Sequence, residues 1–463
     1  MLIARARPVR GSAAVPTEHR MKLELSRLFN VRREEILPVS LAVGFFFCVL
    51  TALMMLRPAR EALGMRGGLD AVRWLFVDTA LATLAVNPLF GWLVSRFRRT
   101  QFIAATYCFF ATSLGAFYLL LVAAPEAVGT ASGQVFYVWF SVFNLFSTMV
   151  FWALMADRFT LEQGKRCFGL ISLGGTLGAI FGPWLASLLA KPLGTPSLLL
   201  ISAGFLLLAL ALGLGIARRR PENAKRETPG AAPERIGGSA WEGIKALFRS
   251  RYLAGIALYV IILAVMATFL YFTRLQMVAA AGSELDMRTA LFARIDMLTQ
   301  VATLVIQLAV AGHLMKRLGV ALTLALLPLT AALGFVGLAI VGSLAALVAF
   351  EASFRAVQRA IMRPARETLF TVLNREDKYK AKAFIDTFIY RFGDVAGAQV
   401  EGMLGRLGMG LYAVAGAALP LAIVWMGLAL WLGRTQQRLA GEPSASTSTS
   451  PHAFNILQEG SES

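Results

Sequence analysis

Residue types on which soluble catalysts depend are scarce in this chain. Histidine occurs only three times in 463 residues, and His19, His313 and His452 fall in polar tails or at a helix end, which argues against a histidine proton relay. The cysteines, Cys48, Cys108 and Cys167, lie in or beside apolar segments. They form no C-x-x-C pair and no zinc spacing, so they read as small buried hydrophobes. No G-x-x-x-x-G-K-[ST] phosphate loop occurs, which argues against a primary pump, and the membrane residues offer no nucleophile and base pair. The chain is thus expected to be no enzyme and to carry no cofactor or metal. Charge is the last shortage: 16% of residues are charged, where a soluble chain has about a quarter.

Apolar residues fill the space. They make up 57% of the chain, and they come in long runs, each near the roughly 20 residues that cross a bilayer as a helix. Twelve such runs are expected, at 36–57, 70–94, 101–123, 133–156, 167–190, 196–217, 252–279, 289–313, 320–341, 343–363, 383–404 and 409–433. The fold class is therefore an all-α membrane protein. The first 35 residues are polar and basic with no cleavable signal, so the first helix is expected to act as the targeting signal.

Basic residues alternate between links. ARARPVR, NVRRE, SRFRRT, ARRRPENAKRE, MKRLG and GRTQQR are basic, whereas AAPEAVGTASG and KPLGTP are nearly neutral. Lys and Arg accumulate in cytoplasmic loops, so both termini are expected in the cytoplasm of a cell whose inner membrane holds the chain. Much of the net charge of +18 is this signal, and nucleic acid is not an expected partner. The expected organisation is a basic N-terminus (1–35), a six-helix bundle (36–217), a basic linker (218–251), a second six-helix bundle (252–433) and a disordered cytoplasmic tail (434–463). Within the linker, SAWEGIKALF can form an amphipathic helix on the membrane surface.

The two halves echo each other. GWLVSRF, with Gly91, Leu93 and Arg96, comes after the second run, and GHLMKRL, with Gly312, Leu314 and Arg317, after the eighth. At the same offset Arg73 falls on Arg294, while Arg166 and Phe168 match Lys382 and Phe384. Six plus six helices, a basic central linker and the G-x-L-x-x-R turn resemble the major facilitator superfamily, although Ser95 and Lys316 stand where that turn usually carries Asp. Gly174, Gly178 and Gly182, spaced by four and succeeded by Pro183, let helices approach closely. They also resemble the Gly-Pro signature of exchangers in that superfamily.

The stretch EASFRAVQRAIMRPARETLF carries four arginines in an oily segment. In an α-helix, steps of four residues turn only about 40°, so Arg355, Arg359 and Arg363 are expected on one face. An arginine at the centre of a membrane helix costs roughly 2.5–3.5 kcal/mol on insertion scales. Arg355 falls about 16 Å into such a helix, near the midplane, whereas Arg363 and Arg366 reach toward the surface. Glu351 can neutralise Arg355 one turn away, and Glu367, Asp386, Arg391, Asp394 and Glu401 can complete ion pairs. The remaining arginines suit an anion in an aqueous cavity, because guanidinium donates paired hydrogen bonds to phosphate or carboxylate. Further charges in apolar runs are Arg57 and Arg60, Arg73 and Asp78, Arg274, and Arg294 and Asp296. The superfamily resemblance implies that helices one, four, seven and ten line the cavity, where Arg57, Arg60, Arg274 and Arg359 would converge.

One segment resembles a narrower family. RPARETLFTVLNREDKYKAKAFIDTFIYRFGD is similar to the part of the non-mitochondrial ATP/ADP translocases where P-x-[KR]-E leads to K-x-K-x-K-A-x-I-D. Pro364, Arg366 and Glu367 match the first pattern, and Lys378, Lys380, Lys382, Ala383, Ile385 and Asp386 the second. LRPAREAL resembles that family's L-R-P-x-K-D. The resemblance implies that Arg60 and Arg366 stand at substrate-handling positions. The family's carboxylates in helix four and before the basic residue of helix seven have no counterparts in FSVFNLFSTMVFW or in Leu270 to Thr273.

The expected function is a monomeric secondary carrier of small anionic substrates, nucleotides or other phosphorylated metabolites, resembling nucleotide exchangers and working by alternating access in the lipid bilayer. The expected substrate-binding residues are Arg57, Arg60, Arg274, Arg355, Arg359, Arg363, Arg366, Lys380 and Lys382. A proton-coupled exporter of drugs or organic anions, titrating Glu351, Asp296 or Asp386, is the alternative within transport. A membrane scaffold, using the linker and the ASTSTS tail as partner sites, is the alternative outside it.

Overall fold

The computed structural model describes residues 32–97, 99–123, 126–218, 250–310, 314–373, 381–382, 384–408 and 410–441. Most of the basic N-terminus, the central linker with its amphipathic stretch, Lys378, Lys380 and the polar tail lie outside the described residues. The described chain is helical, with no strand among these residues. In order the helices are α1 (Ile36–Gly64), α2 (Gly68–Arg96), α3 (Arg99–Ala123), α4 (Glu126–Arg158), α5 (Leu161–Leu193) and α6 (Thr195–Ala217), then α7 (Arg251–Ala281), α8 (Leu285–Val310) and α9 (Leu314–Val341). The tenth segment is composite: α10 (Leu344–Ala356) passes through a π-helical turn, Val357–Met362, into α11 (Arg363–Leu369). The eleventh opens on a second π-helical turn, Ile385–Ile389, that continues as α12 (Tyr390–Arg406). Last comes α13 (Gly410–Gly441).

Nine stretches of the described chain are long and apolar enough to cross a membrane, the first of them, Ile36–Val86, running through α1 into α2. Gly68, at φ +83°, makes the turn between those two, a conformation open to a residue without Cβ. The composite tenth and eleventh segments are not among the nine. They carry Glu351, Arg355, Arg359, Arg363 and Arg366, and Asp386, Arg391, Asp394 and Glu401.

Several helices outrun their expected ends. α1 continues seven residues past 57, through Pro58, so that Arg60 and Glu61 stand inside a regular helix. Hydropathy stops at charged residues, but a membrane helix tolerates proline and charge where neighbouring helices satisfy them.

The chain forms two compact units. Among the described residues, the first comprises those up to 218 with 272–301, and the second 250–271 with those from 302 to 441. In the first, α1 packs on α5 through the glycine row. A Cβ at Gly174, Gly178 or Gly182 would run into the backbone of Val43, Phe47 or Thr51, which succeed one another at the same spacing of four. Aromatic rings fill the rest of this core: Phe46 stacks on Phe151 with centroids 4.1 Å apart, and Trp139 packs against Phe110, Phe117, Phe136 and Phe143. The start of α8 joins this unit where the Thr195 backbone N–H donates to Asp286 at 2.7 Å. In the second unit, α9 lies against α13, and Tyr259 donates to the Leu324 carbonyl at 3.0 Å. Gly393 and Gly397 bring α12 onto the backbone of α7 at Ile261 and Val265.

Candidate substrate site

Among the described residues, the expected site residues gather chiefly at two places, one in each unit. In the first, Arg57, Arg60 and Glu61 come from α1, Arg274 from the second half of α7, and Asp296 from α8. Arg274 has no exposed surface. Its Nη1 donates to Asp296 Oδ1 at 2.7 Å, and its Nη2 lies 3.6 Å from Glu61 Oε1. Arg57 reaches the same Asp296 oxygen at 3.7 Å, and Arg60 meets Glu61 at 3.1 Å. The Arg60 guanidinium also lies over the Tyr137 ring, 3.6 Å from its centroid, and Arg274 faces the Phe292 ring at 5.3 Å. Three guanidiniums thus surround two carboxylates in a setting lined by aromatic faces. Removing a charge from water costs several kcal/mol even after relaxation, so such a cluster holds only while its members are paired.

Glu61 was not among the expected site residues. The signal was there, because Arg60-Glu61 comes one helical turn after Arg57 within LRPAREALG. Glu61 and Asp296 are the carboxylates that meet Arg274. The other first-unit candidates lie apart. Arg73 is buried, pairs with Asp70 and faces the Phe272 ring at 5.5 Å, while Asp78 and Arg294 are exposed.

The second place surrounds the two π-helical turns. Glu351 and Arg355 form an ion pair one turn apart at the end of α10. Beyond it the chain leaves the regular α-helix on which the expected row of Arg355, Arg359 and Arg363 was drawn and closes an i→i+5 bond, from the Arg363 N–H to the Gln358 carbonyl. Arg359 and Arg363 are exposed, whereas Arg366 turns inward with its side chain 12% exposed. Arg366 pairs with Asp386 at 3.0 Å and lies 3.8 Å from Glu367, which itself pairs with Lys382. Farther along, Arg391 and Asp394 form their own pair at 3.2 Å.

A cavity of about 440 Å³ opens here. Gln358, Met362, Arg363, Arg366 and Glu367 line it from the tenth segment, Asp386 and Tyr390 from the eleventh, and Leu263 from α7. Among the described residues no carboxylate lies within ion-pair reach of Arg363. The cavity is of the size that holds a small molecule, and its walls offer two guanidiniums three residues apart. Both π-helical turns contribute to it, and such turns are frequent at functional sites.

Known proteins share this fold. The Major Facilitator Superfamily model matches residues 7–361. Among solved structures, a point mutant of the nucleoside transporter NupG is 14% identical, with a TM-score of 0.57 over 87% of this chain and 99% of that one. A bacterial homologue of the human lysosomal transporter Spinster, inward-facing and unoccupied, is 12% identical, with a TM-score of 0.54 over 94% of this chain and 100% of the other. No curated protein matches the chain in sequence.

Proposed function

Because the chain belongs to the Major Facilitator Superfamily, a family of multi-pass membrane transporters, we propose that it is a secondary carrier of phosphorylated metabolites, nucleotides first among them. The observation that carries this reading is the second-unit cavity, in which Arg363 and Arg366 share one wall. Guanidinium is suited to phosphate, since its donors match two oxygens at once. The reading also draws on the resemblance of Pro364, Arg366, Glu367, Lys382 and Asp386 to the ATP/ADP translocase pattern. Arg57, Arg60, Arg274, Arg355, Arg359 and Lys380 belong to the proposed anion path. Two six-helix bundles, 36–217 and 252–433, rock about it in alternating access, the monomer lying in the inner membrane with both termini cytoplasmic.

The test is uptake of labelled ATP, ADP and sugar phosphates into proteoliposomes. Arg363→Ala and Arg366→Ala are expected to lower uptake about tenfold or more, since charge-assisted hydrogen bonds contribute about 1.5–3 kcal/mol each. Unchanged flux of every compound in both variants would refute the anion site. Preloading the vesicles with unlabelled substrate accelerates uptake by an exchanger. A second reading, a proton-coupled exporter, draws on Glu351 and Asp296, carboxylates only 4% and 1% exposed. It requires uptake to respond to an imposed pH gradient instead.

A further inference from the structure

The cavity is not a plain basic pocket: its more buried arginine is already engaged. Arg366 holds Asp386 at 3.0 Å, and both residues line the cavity. Asp386 belongs to a different helical segment, so this contact bridges the tenth and eleventh segments, and it does so from one π-helical turn. Arg366 Nε is buried and makes no hydrogen bond, which leaves the guanidinium only partly satisfied by its carboxylate. The second carboxylate in the cavity, Glu367, is drawn off by Lys382.

We propose that Asp386 is a built-in stand-in for the anionic cargo: its carboxylate occupies Arg366 while the cavity is empty, and a phosphate group displaces it on binding. This rests on the reading of the cavity as an anion site, and it adds a competitor to that site. A carboxylate and a phosphate monoanion make the same paired contact with a guanidinium, so one substitutes for the other without leaving a buried charge unpaired. Affinity is then set by a difference, the gain from phosphate minus the loss of Asp386. Asp386 is 35% exposed at its side chain, so it has room to swing aside into water once released. The contact also reports occupancy from one segment to the other, because cargo binding releases this tie between them and leaves the Glu367–Lys382 pair as the remaining one of the two.

The experiment is calorimetric titration of the purified full chain in lipid nanodiscs with inorganic pyrophosphate. Asp386→Asn removes the competing charge and keeps the side-chain size, and it is expected to tighten pyrophosphate binding about tenfold, the effect of relieving one like-charge contact. Asp386→Glu keeps the competing charge and is expected not to show that tightening. Asp386→Ser repeats the neutralisation with a different volume, so misfolding of one replacement does not remove the measurement. If Arg363→Ala and Arg366→Ala abolish binding while both neutral replacements at Asp386 leave it unchanged or weaker, the stand-in is overturned and the anion site stands. If the arginine replacements bind pyrophosphate like the wild type, or the wild type binds none, the anion site falls and the stand-in with it.

Discussion

Arg274 meets Asp296 at 2.7 Å with neither side chain more than 1% exposed, the shortest contact in a cluster where Arg57 also reaches Asp296 and Glu61 also reaches Arg274. Removing one member of such a pair costs about 3–5 kcal/mol, because an uncompensated charge is left behind. Arg274→Ala is expected to lower the thermal unfolding midpoint sharply, and Arg274→Met combined with Asp296→Leu to recover a large part of the loss; equal midpoints for the wild type and the single variant would show that the pair adds no stability. Arg60 makes a different case. Its planar group lies 3.6 Å from the Tyr137 centroid, and lysine keeps the charge without the flat face, so Arg60→Lys is expected to cost about 1 kcal/mol in the same measurement. At this scale the sequence was informative about which groups are anomalous and poor about whom they meet. The Glu351–Arg355 contact could be read from spacing along one helix, since four residues bring side chains together. The Arg274–Glu61 contact joins residues more than two hundred positions apart, and no local pattern encodes it.

Helices meet each other through features of two kinds, and both are testable. Gly178 touches the backbone of Phe47 and Thr51, so a larger side chain there has no space to enter. Gly178→Leu is expected to destabilise the protein by about 1–3 kcal/mol or more through overpacking, whereas Gly204→Ala, with nothing within 4 Å of the added Cβ, leaves the melting midpoint in place. The four-residue glycine spacing was legible, because small residues at that interval have one common packing use. The π-helical turn at Val357–Met362 was not, since no residue type marks it and the extra backbone looseness is set by its surroundings. Deleting Ala360 takes one residue out of that turn and rotates the rest of the segment by about 100°. If the chain carries phosphorylated metabolites as proposed, the expected result is loss of their uptake as complete as that of Arg366→Ala, because the arginines leave the cavity wall; undiminished uptake would show that the turn is incidental.

For the whole molecule, composition and hydropathy were enough to state a helical membrane protein, because lipid forces backbone polar groups to be satisfied within each span; the superfamily was legible only through the resemblance of the G-x-L-x-x-R turn, the paired halves and the basic linker. The tenth and eleventh spans were read as apolar runs at 343–363 and 383–404, and they are the two whose charges keep them outside the nine stretches long and apolar enough to cross a membrane among the described residues. Topology is open to direct measurement. A cytoplasm-active reporter fused after residue 441 is expected to be active and one requiring export inactive, with the opposite pattern placing the C-terminus outside. The glycine row has a mechanical corollary. With backbone on backbone and no side-chain cushion between α1 and α5, those two rods cannot slide past each other without collision, so they transmit force as one stiff beam. Compliance must then reside in softer joints of the chain, and a covalent tether between α1 and α5 should leave the working stroke unhindered.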